Sequence, residues 1–323
     1  MNSTQNLTAV NPTTDVIIGK FFYYSTSRLL IPKQKFMELG MSFGFSKYKP
    51  AKESKAGSYR NATSALRDRM VVRDRNATHI YQIYCRDNKK EDERYIVREL
   101  VKETQNSRTN KYTKLANVVF DKENENVYSE DEIVDPNVDV KQLCDKTQEL
   151  YQLYCDCYTG NQIESVIQDQ LDRMQANKIS IHGNLYFVPS TNLQRLDLLE
   201  SYMAALGEHN LNGGPVVYNS MFVVNDEQQR QKMTEEFYAN YKRDLEFYQQ
   251  RIQTFIDNGC DSKVVIERWI QKISELQKKK QVYEDVLKQQ LDQLDSDFAL
   301  LTMQAYELQV RNIKGQTTIP LAA

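Results

Sequence analysis

Histidine and cysteine are scarce in this chain. Three histidines, His79, His182 and His209, and five cysteines, Cys85, Cys144, Cys155, Cys157 and Cys260, serve 323 residues. No histidine stands at ligand spacing from the one close cysteine pair, Cys155 and Cys157, and that pair falls in a segment that reads as helix, where residues two apart point to different sides. No metal site is expected. An odd, scattered set of cysteines also excludes a small disulfide-stapled domain and fits a reducing cytoplasm.

Long apolar runs are lacking as well. The segment 216–224 is short and interrupted, well below the ~20 residues of a membrane span, so no membrane partner is expected. Residues 1–14 are polar, with neither a basic n-region nor an apolar h-region, and read as a disordered tail rather than a signal peptide. The Asn-x-Thr sequons at Asn2, Asn6, Asn61 and Asn76 then have no glycosylating compartment to act in. There is no GxxxxGK[ST], no GxGxxG after a strand, no HExxH and no GxSxG, so phosphate-loop, dinucleotide, zincin and hydrolase chemistries lack their minimum spacing. Neither an enzyme nor a cofactor is expected, and acidic runs such as Glu130-Asp131-Glu132 read as solvated charge.

What is present is an ordinary globular balance, 40% hydrophobic and 27% charged, with 20 tyrosines against one tryptophan, in a chain long enough for two domains. The formal charge of −2 conceals two opposed blocks. Between Lys47 and Arg75 nine basic residues face three acidic ones, a net of +6, and between Asp121 and Glu149 ten acidic residues face three lysines, a net of −7. Such blocks either stay solvated, neutralise each other in the fold, or form a binding surface. The strongest site-like feature is the basic block, with Arg60, Arg67, Arg69, Arg73 and Arg75, beside strands that carry Tyr81, Tyr84, Tyr95, Arg86, Arg94 and Arg98. Cationic grooves with aromatic platforms hold single-stranded nucleic acid. Alternation places Tyr81 and Tyr84 on opposite faces of one strand, so at most one can serve.

Strands are predicted at 15–25, 78–85, 95–103, 114–120 and 216–224, the three central ones as an antiparallel meander, with a hairpin around Gly183-Asn184. Helices are predicted at 32–40, from about Ala65 to Arg75 with most of the basic block, and at 138–156, 162–174 and 190–206. From Asp226 onward apolar residues recur in steps of three and four, through Phe237, Tyr241 and Leu245. After Asp257-Asn258-Gly259 a second stripe runs through Tyr283, Leu287, Leu294, Phe298 and Leu301 and is interrupted once, by Lys280. A second helix over 261–312 would span about 75 Å against about 50 Å for the first, so its overhang, near Tyr283 to Leu308, must pack on the body, on another copy or on a partner.

The fold expected is therefore α+β: a mixed, largely antiparallel α/β body followed by a long, coiled-coil-like antiparallel helical pair. The divisions are a tail (1–14), an α+β domain (15–135), a helical and hairpin region (136–224), the helical pair (225–312) and a second tail (313–323). The order Tyr24-Ser25-Thr26-Ser27-Arg28, Asn61-Ala62-Thr63-Ser64, Val97-Arg98-Glu99-Leu100-Val101, Asn117-Val118-Val119-Phe120-Asp121 and Gly183-Asn184-Leu185-Tyr186-Phe187-Val188-Pro189, before a charged helical tail, resembles an uncharacterised family. That family is carried by phages, plasmids and prokaryotic genomes and is known only as a domain of unknown function. The resemblance covers most of 21–310 and implies a mobile-element setting, with no reaction and no site residues. The functional expectation is a non-enzymatic assembly or partner-binding protein that joins itself or another protein through its C-terminal helices. The alternative is a nucleic-acid-binding accessory factor using the segment from Lys47 to Arg75.

Overall fold

The computed structural model describes residues 17–45, 50, 52–73, 78–88, 93–105, 111–179, 183–260 and 262–316, without the side chains of 311–316. In chain order the strands are β1 (Ile17–Ser25), β2 (Leu30–Pro32), β3 (Arg67–Arg73), β4 (Thr78–Asp87), β5 (Tyr95–Thr104), β6 (Tyr112–Asp121), β7 (Asn126–Glu130), β8 (Cys157–Thr159), β9 (Asn177–Lys178), β10 (Leu185–Pro189) and β11 (Val217–Val224). The helices are α1 (Lys33–Ser42), α2 (Lys55–Ala65), α3 (Val140–Asp156), α4 (Gly160–Arg173), α5 (Leu193–Glu208), α6 (Glu227–Asp257), α7 (Lys263–Leu287) and α8 (Asp295–Gln316). The expected α+β class holds, with antiparallel sheets and a helical C-terminal stretch. The predicted tails lie wholly or largely outside the described residues.

Two compact units share the chain, and it passes between them more than once. One is built from 26–166 with 204–215, the other from 17–25, 167–203 and 216–316. The linear boundary expected after 135 falls inside the first, and that after 224 inside the second. Pairing between distant strands, which sequence order conceals, decides the division.

The first unit, here the meander unit, holds a five-stranded antiparallel sheet in the order β3-β4-β5-β6-β7. One face carries Ile83, Cys85, Ile96, Leu100, Val118 and Phe120, which pack under Tyr59 and Ala62 of α2, Leu66 just after it, and Val140, Leu143 and Tyr151 of α3. The Tyr59 ring stacks on Phe120 at 5.4 Å and its hydroxyl donates to the Val118 carbonyl at 2.8 Å, so the buried phenol is satisfied. Two elements differ from expectation. The helix predicted over Ala65 to Arg75 lies earlier: Ser54 caps it by accepting from the Gly57 N–H at 3.1 Å, and it ends at Ala65. Residues 67–73 instead alternate charged or valine side chains on one face with Asp68, Met70 and Val72 on the other. That period of two, with two β-branched valines, suits a strand. β7 emerges inside the acidic block, where no strand is predicted, because Val127 alone enters the core while its charged neighbours mask the pattern.

In the second unit, here the bundle unit, a four-stranded antiparallel sheet in the order β11-β1-β10-β9 packs with α6, α7 and α8. α7 runs antiparallel to α6, with Trp269 edge-on to Tyr248 at 5.2 Å and to Phe255 at 5.7 Å. α8 runs back along α6: Phe298 meets Tyr241 at 5.8 Å and Gln304 donates to Gln253 at 3.1 Å. The predicted 75 Å helix is thus two helices. The chain reverses at Lys288, whose φ of 52° is left-handed and whose N–H reaches the Glu284 carbonyl. Lys280, the polar break in the apolar stripe, explains the turn. Its ammonium lies 2.9 Å from the Glu284 carboxylate and 2.8 Å from Asp295, and Glu284 also accepts the Leu291 N–H at 2.9 Å. The overhang is consequently taken up within the chain, on α6 and, at Tyr283, on Phe187 of β10.

Glu284→Gln should therefore loosen the reversal, leaving a half-buried Lys280 with one partner fewer. The expected loss in urea unfolding is about 2 to 4 kcal/mol, with the α/β far-ultraviolet spectrum retained; an unchanged midpoint would remove the carboxylate from its role in the turn.

Candidate functional site

The registers of the meander sheet place the basic residues. Arg67 faces Tyr84, Arg69 faces Gln82 and Arg73 faces Thr78, whereas Asp68 faces Ile83 of the core. Directly paired residues share a face, so Arg67, Arg69 and Arg73 project from the face turned away from α2 and α3. All three are exposed, and β3 is the edge of the sheet. Rows continue across it, Arg69–Gln82–Glu103–Tyr112 and Arg67–Tyr84–Val101–Lys114. Tyr84 lies on this face and Tyr81 on the other, as alternation requires. Tyr84 donates to Glu103 at 2.9 Å, and burial together with that bond pushes its hydroxyl up, so the ring stays neutral. Arg86 stacks over Tyr112 at 4.2 Å.

Two shallow depressions meet at Arg67. One of about 230 Å³ is lined by Ser64, Arg67, Gln82, Tyr84, Arg98 and Glu103; the other, of about 590 Å³, by Arg67, Asp68, Arg69, Gln82 and Gln105. Cys85 borders the first, but burial raises its thiol to about 12, so it is no nucleophile at neutral pH. Arg98 supports the wall from behind. Its Nη1 donates to Thr63 Oγ1 at 2.8 Å, Ser64 Oγ at 2.9 Å and the Arg60 carbonyl at 3.3 Å, and its Nε lies 2.9 Å from Asp87. A guanidinium at the last turn of α2 also meets the negative end of the helix dipole. The segments Asn61–Ser64 and Val97–Val101, far apart in sequence, are thereby one structural feature. Only two short motifs hinted at it, and Gln82, Gln105 and Tyr112 carried no signal of their own.

The remaining candidates divide. Arg60 is exposed on α2, which covers the opposite face, so the structure does not bring it together with the β3 arginines. Arg75 lies outside the described residues. Phe237, Tyr241, Leu245, Tyr283, Leu287, Leu294, Phe298 and Leu301 are all buried in the bundle core, where Phe237 stacks on Tyr283 at 3.9 Å. Among the described residues no group of His, Cys, Asp or Glu is arranged to hold a metal, and no helix is long and apolar enough to cross a membrane.

Charge compensation separates the two blocks. Three carboxylates of the acidic segment are paired from within the meander: Asp121 with Arg94 at 3.1 Å, Asp131 with Lys114 at 3.4 Å, and Asp135 with Lys102. Among the described residues Arg67, Arg69 and Arg73 have no ion pair. The two blocks do not neutralise each other there.

The frame is thus a meander with an uncompensated cationic edge and a separate three-helix unit. The chain belongs to DUF6744, a family of unknown function whose model matches residues 17–316, which spans every element from β1 to α8. No curated protein and no solved structure matches it.

Asp121 gives a pH signature for the acidic pairing. Burial would raise its carboxyl, but Arg94, Asn124 and the N–H groups of Glu123 and Asn124 outweigh it and hold the group at about 2. A depressed folded value stabilises fully above the unfolded value of about 4, and the contribution is lost as pH falls toward 2. Thermal melting of Asp121→Asn should fall below wild type at neutral pH, and the gap should close between about pH 4 and 2. A gap independent of pH would refute this.

Proposed function

We propose that the protein is a non-enzymatic, nucleic-acid-binding accessory factor that takes single-stranded nucleic acid on the face of β3 and β4. The observation that carries this reading is the row of Arg67, Arg69 and Arg73, exposed on one face and, among the described residues, without ion pairs, while Asp121, Asp131 and Asp135 of the acidic block take Arg94, Lys114 and Lys102 as their partners. Two residues of a strand advance about 6.8 Å, so the arginines form a line of cations that can follow a phosphate backbone. Tyr84 and Tyr112, on the same face, supply flat rings on which bases can stack. A mobile genetic element in the cytoplasm of a prokaryotic host, the setting implied by the family resemblance, offers such strands during replication and transfer.

Fluorescence anisotropy of a labelled single-stranded oligonucleotide across a salt series tests it. Three phosphate contacts predict a log–log slope of about −2, and Arg69→Gln should reduce it by about 0.7. Arg60→Gln should leave the slope unchanged. Absence of binding at low salt, or an unaltered slope for a variant lacking all three β3 arginines, would reject the proposal.

Assembly through the C-terminal helices is the second reading, and one observation favours it. With the apolar stripe buried, Leu300, Met303 and Tyr306 still lie exposed at three-residue steps on the outward side of α8, a strip on which a second copy can pack. Met303→Glu should then halve the solution mass measured by light scattering; a mass insensitive to it would end this reading.

A further inference from the structure

The two sheets end in edges of opposite chemistry. β3 carries Arg67, Asp68, Arg69 and Arg73 at its exposed edge, and β9, at one end of the bundle sheet, is only two residues long. Charge and brevity are the ordinary means by which a sheet edge is kept from recruiting another strand. β11, at the other end of the bundle sheet, has neither. It pairs with β1 over its whole length, Val217 opposite Ser25 and Val224 opposite Ile17, with a bulge only at the Ile17/Gly19 end. Its sequence, VYNSMFVV, holds no charge, no proline and no glycine. Val217, Met221 and Phe222 are 56%, 60% and 55% exposed, and Tyr23 of β1, beside Asn219, is exposed as well. Among the described residues no strand pairs with the outer side of β11. A row of backbone N–H and C=O groups is thus presented next to apolar side chains.

We propose that β11 is a homodimer interface, pairing antiparallel with β11 of a second copy about a two-fold axis, so that two four-stranded sheets become one continuous sheet. Charge selects this occupant and this direction. The strand is neutral, so a copy of itself meets no like charge, as it would at β3. Antiparallel pairing places Asp226, just beyond the strand, opposite the uncharged Gly213-Gly214-Pro215-Val216 of the copy, whereas parallel pairing would bring the two Asp226 carboxylates together. A two-fold contact uses the same strand on both chains and closes on itself, and the short β9 at the far edge cannot propagate it into a fibre. The interface is independent of the nucleic-acid face, which lies in the other unit.

The test is light scattering on the full chain together with hydrogen exchange on β11. Val217→Lys/Met221→Lys adds two like charges to exposed positions of one face without touching the core. The wild-type chain should have twice the chain mass, with slowed exchange in 217–224 that deepens with concentration. The double variant should have half that mass, with rapid β11 exchange and an unchanged circular-dichroism spectrum. A monomeric wild type, a dimer that survives the double variant, or one lost instead in Met303→Glu would overturn the proposal. Should the double variant fail to fold, β11 exchange in the wild type that does not respond to concentration overturns it equally.

Discussion

A single carboxylate organises the C-terminal third of this chain. Glu284 accepts the N–H of Leu291 and holds Lys280, which in turn holds Asp295, and the left-handed Lys288 lies inside that clasp. Without the reversal, α7 and α8 would form one rod that overhangs α6 by more than half of α6's own length. With it, the apolar side chains from Tyr283 to Leu308 close on α6 and on Phe187, and the bundle unit acquires a core of its own. A polar cluster half-buried at a helix end contributes little net energy; its value is that it selects one of two packings.

That selection redistributes which surfaces remain available. The apolar stripe, expected to pack on the body, on another copy or on a partner, is consumed inside the unit, and what stays outside is a strip of α8 and the edges of the sheets. One edge is cationic and one is neutral and apolar, and these attract different things. Phosphate backbones are held by charge and are sensitive to salt, whereas strand pairing depends on hydrogen bonds and apolar contact and is nearly indifferent to it. The two proposed surfaces, one for a polymer and one for a second copy, draw on different residues and do not compete for them.

Much of the frame was legible in residue order. The alternation at Thr78–Cys85, Tyr95–Glu103 and Lys114–Phe120 marked the meander, and the three- and four-residue steps after Asp226 marked α6. Misreadings came where charge masks periodicity. RDRMVVR has few apolar residues because it is an edge strand with one side in solvent, and its arginines mimic a helical surface. NVYSE places only Val127 in the core, too little to be seen between acidic flanks. The α7–α8 break was signalled only by Lys280, since the turn uses no glycine or proline, and its cause lies in a side-chain network that no local pattern reports. At the candidate site the arginines were visible as a block, but their shared face followed only from the register against β4. The role of Arg98 behind that face needed the fold.

The path of the chain through its two units also has a temporal side. Among the described residues β1 is the earliest strand, yet it pairs with β10 and β11 alone, the latter ending at Val224. At roughly 5 to 20 residues per second, a ribosome needs on the order of 10 to 40 seconds to supply that last neighbour. The meander segment can already fold while a nine-residue strand carrying Phe21, Phe22, Tyr23 and Tyr24 waits, with both edges open until β10 is made and one edge open until β11 follows. One aromatic strand must therefore be sheltered until its distant partners are made, a burden set by topology rather than by the stability of the finished fold.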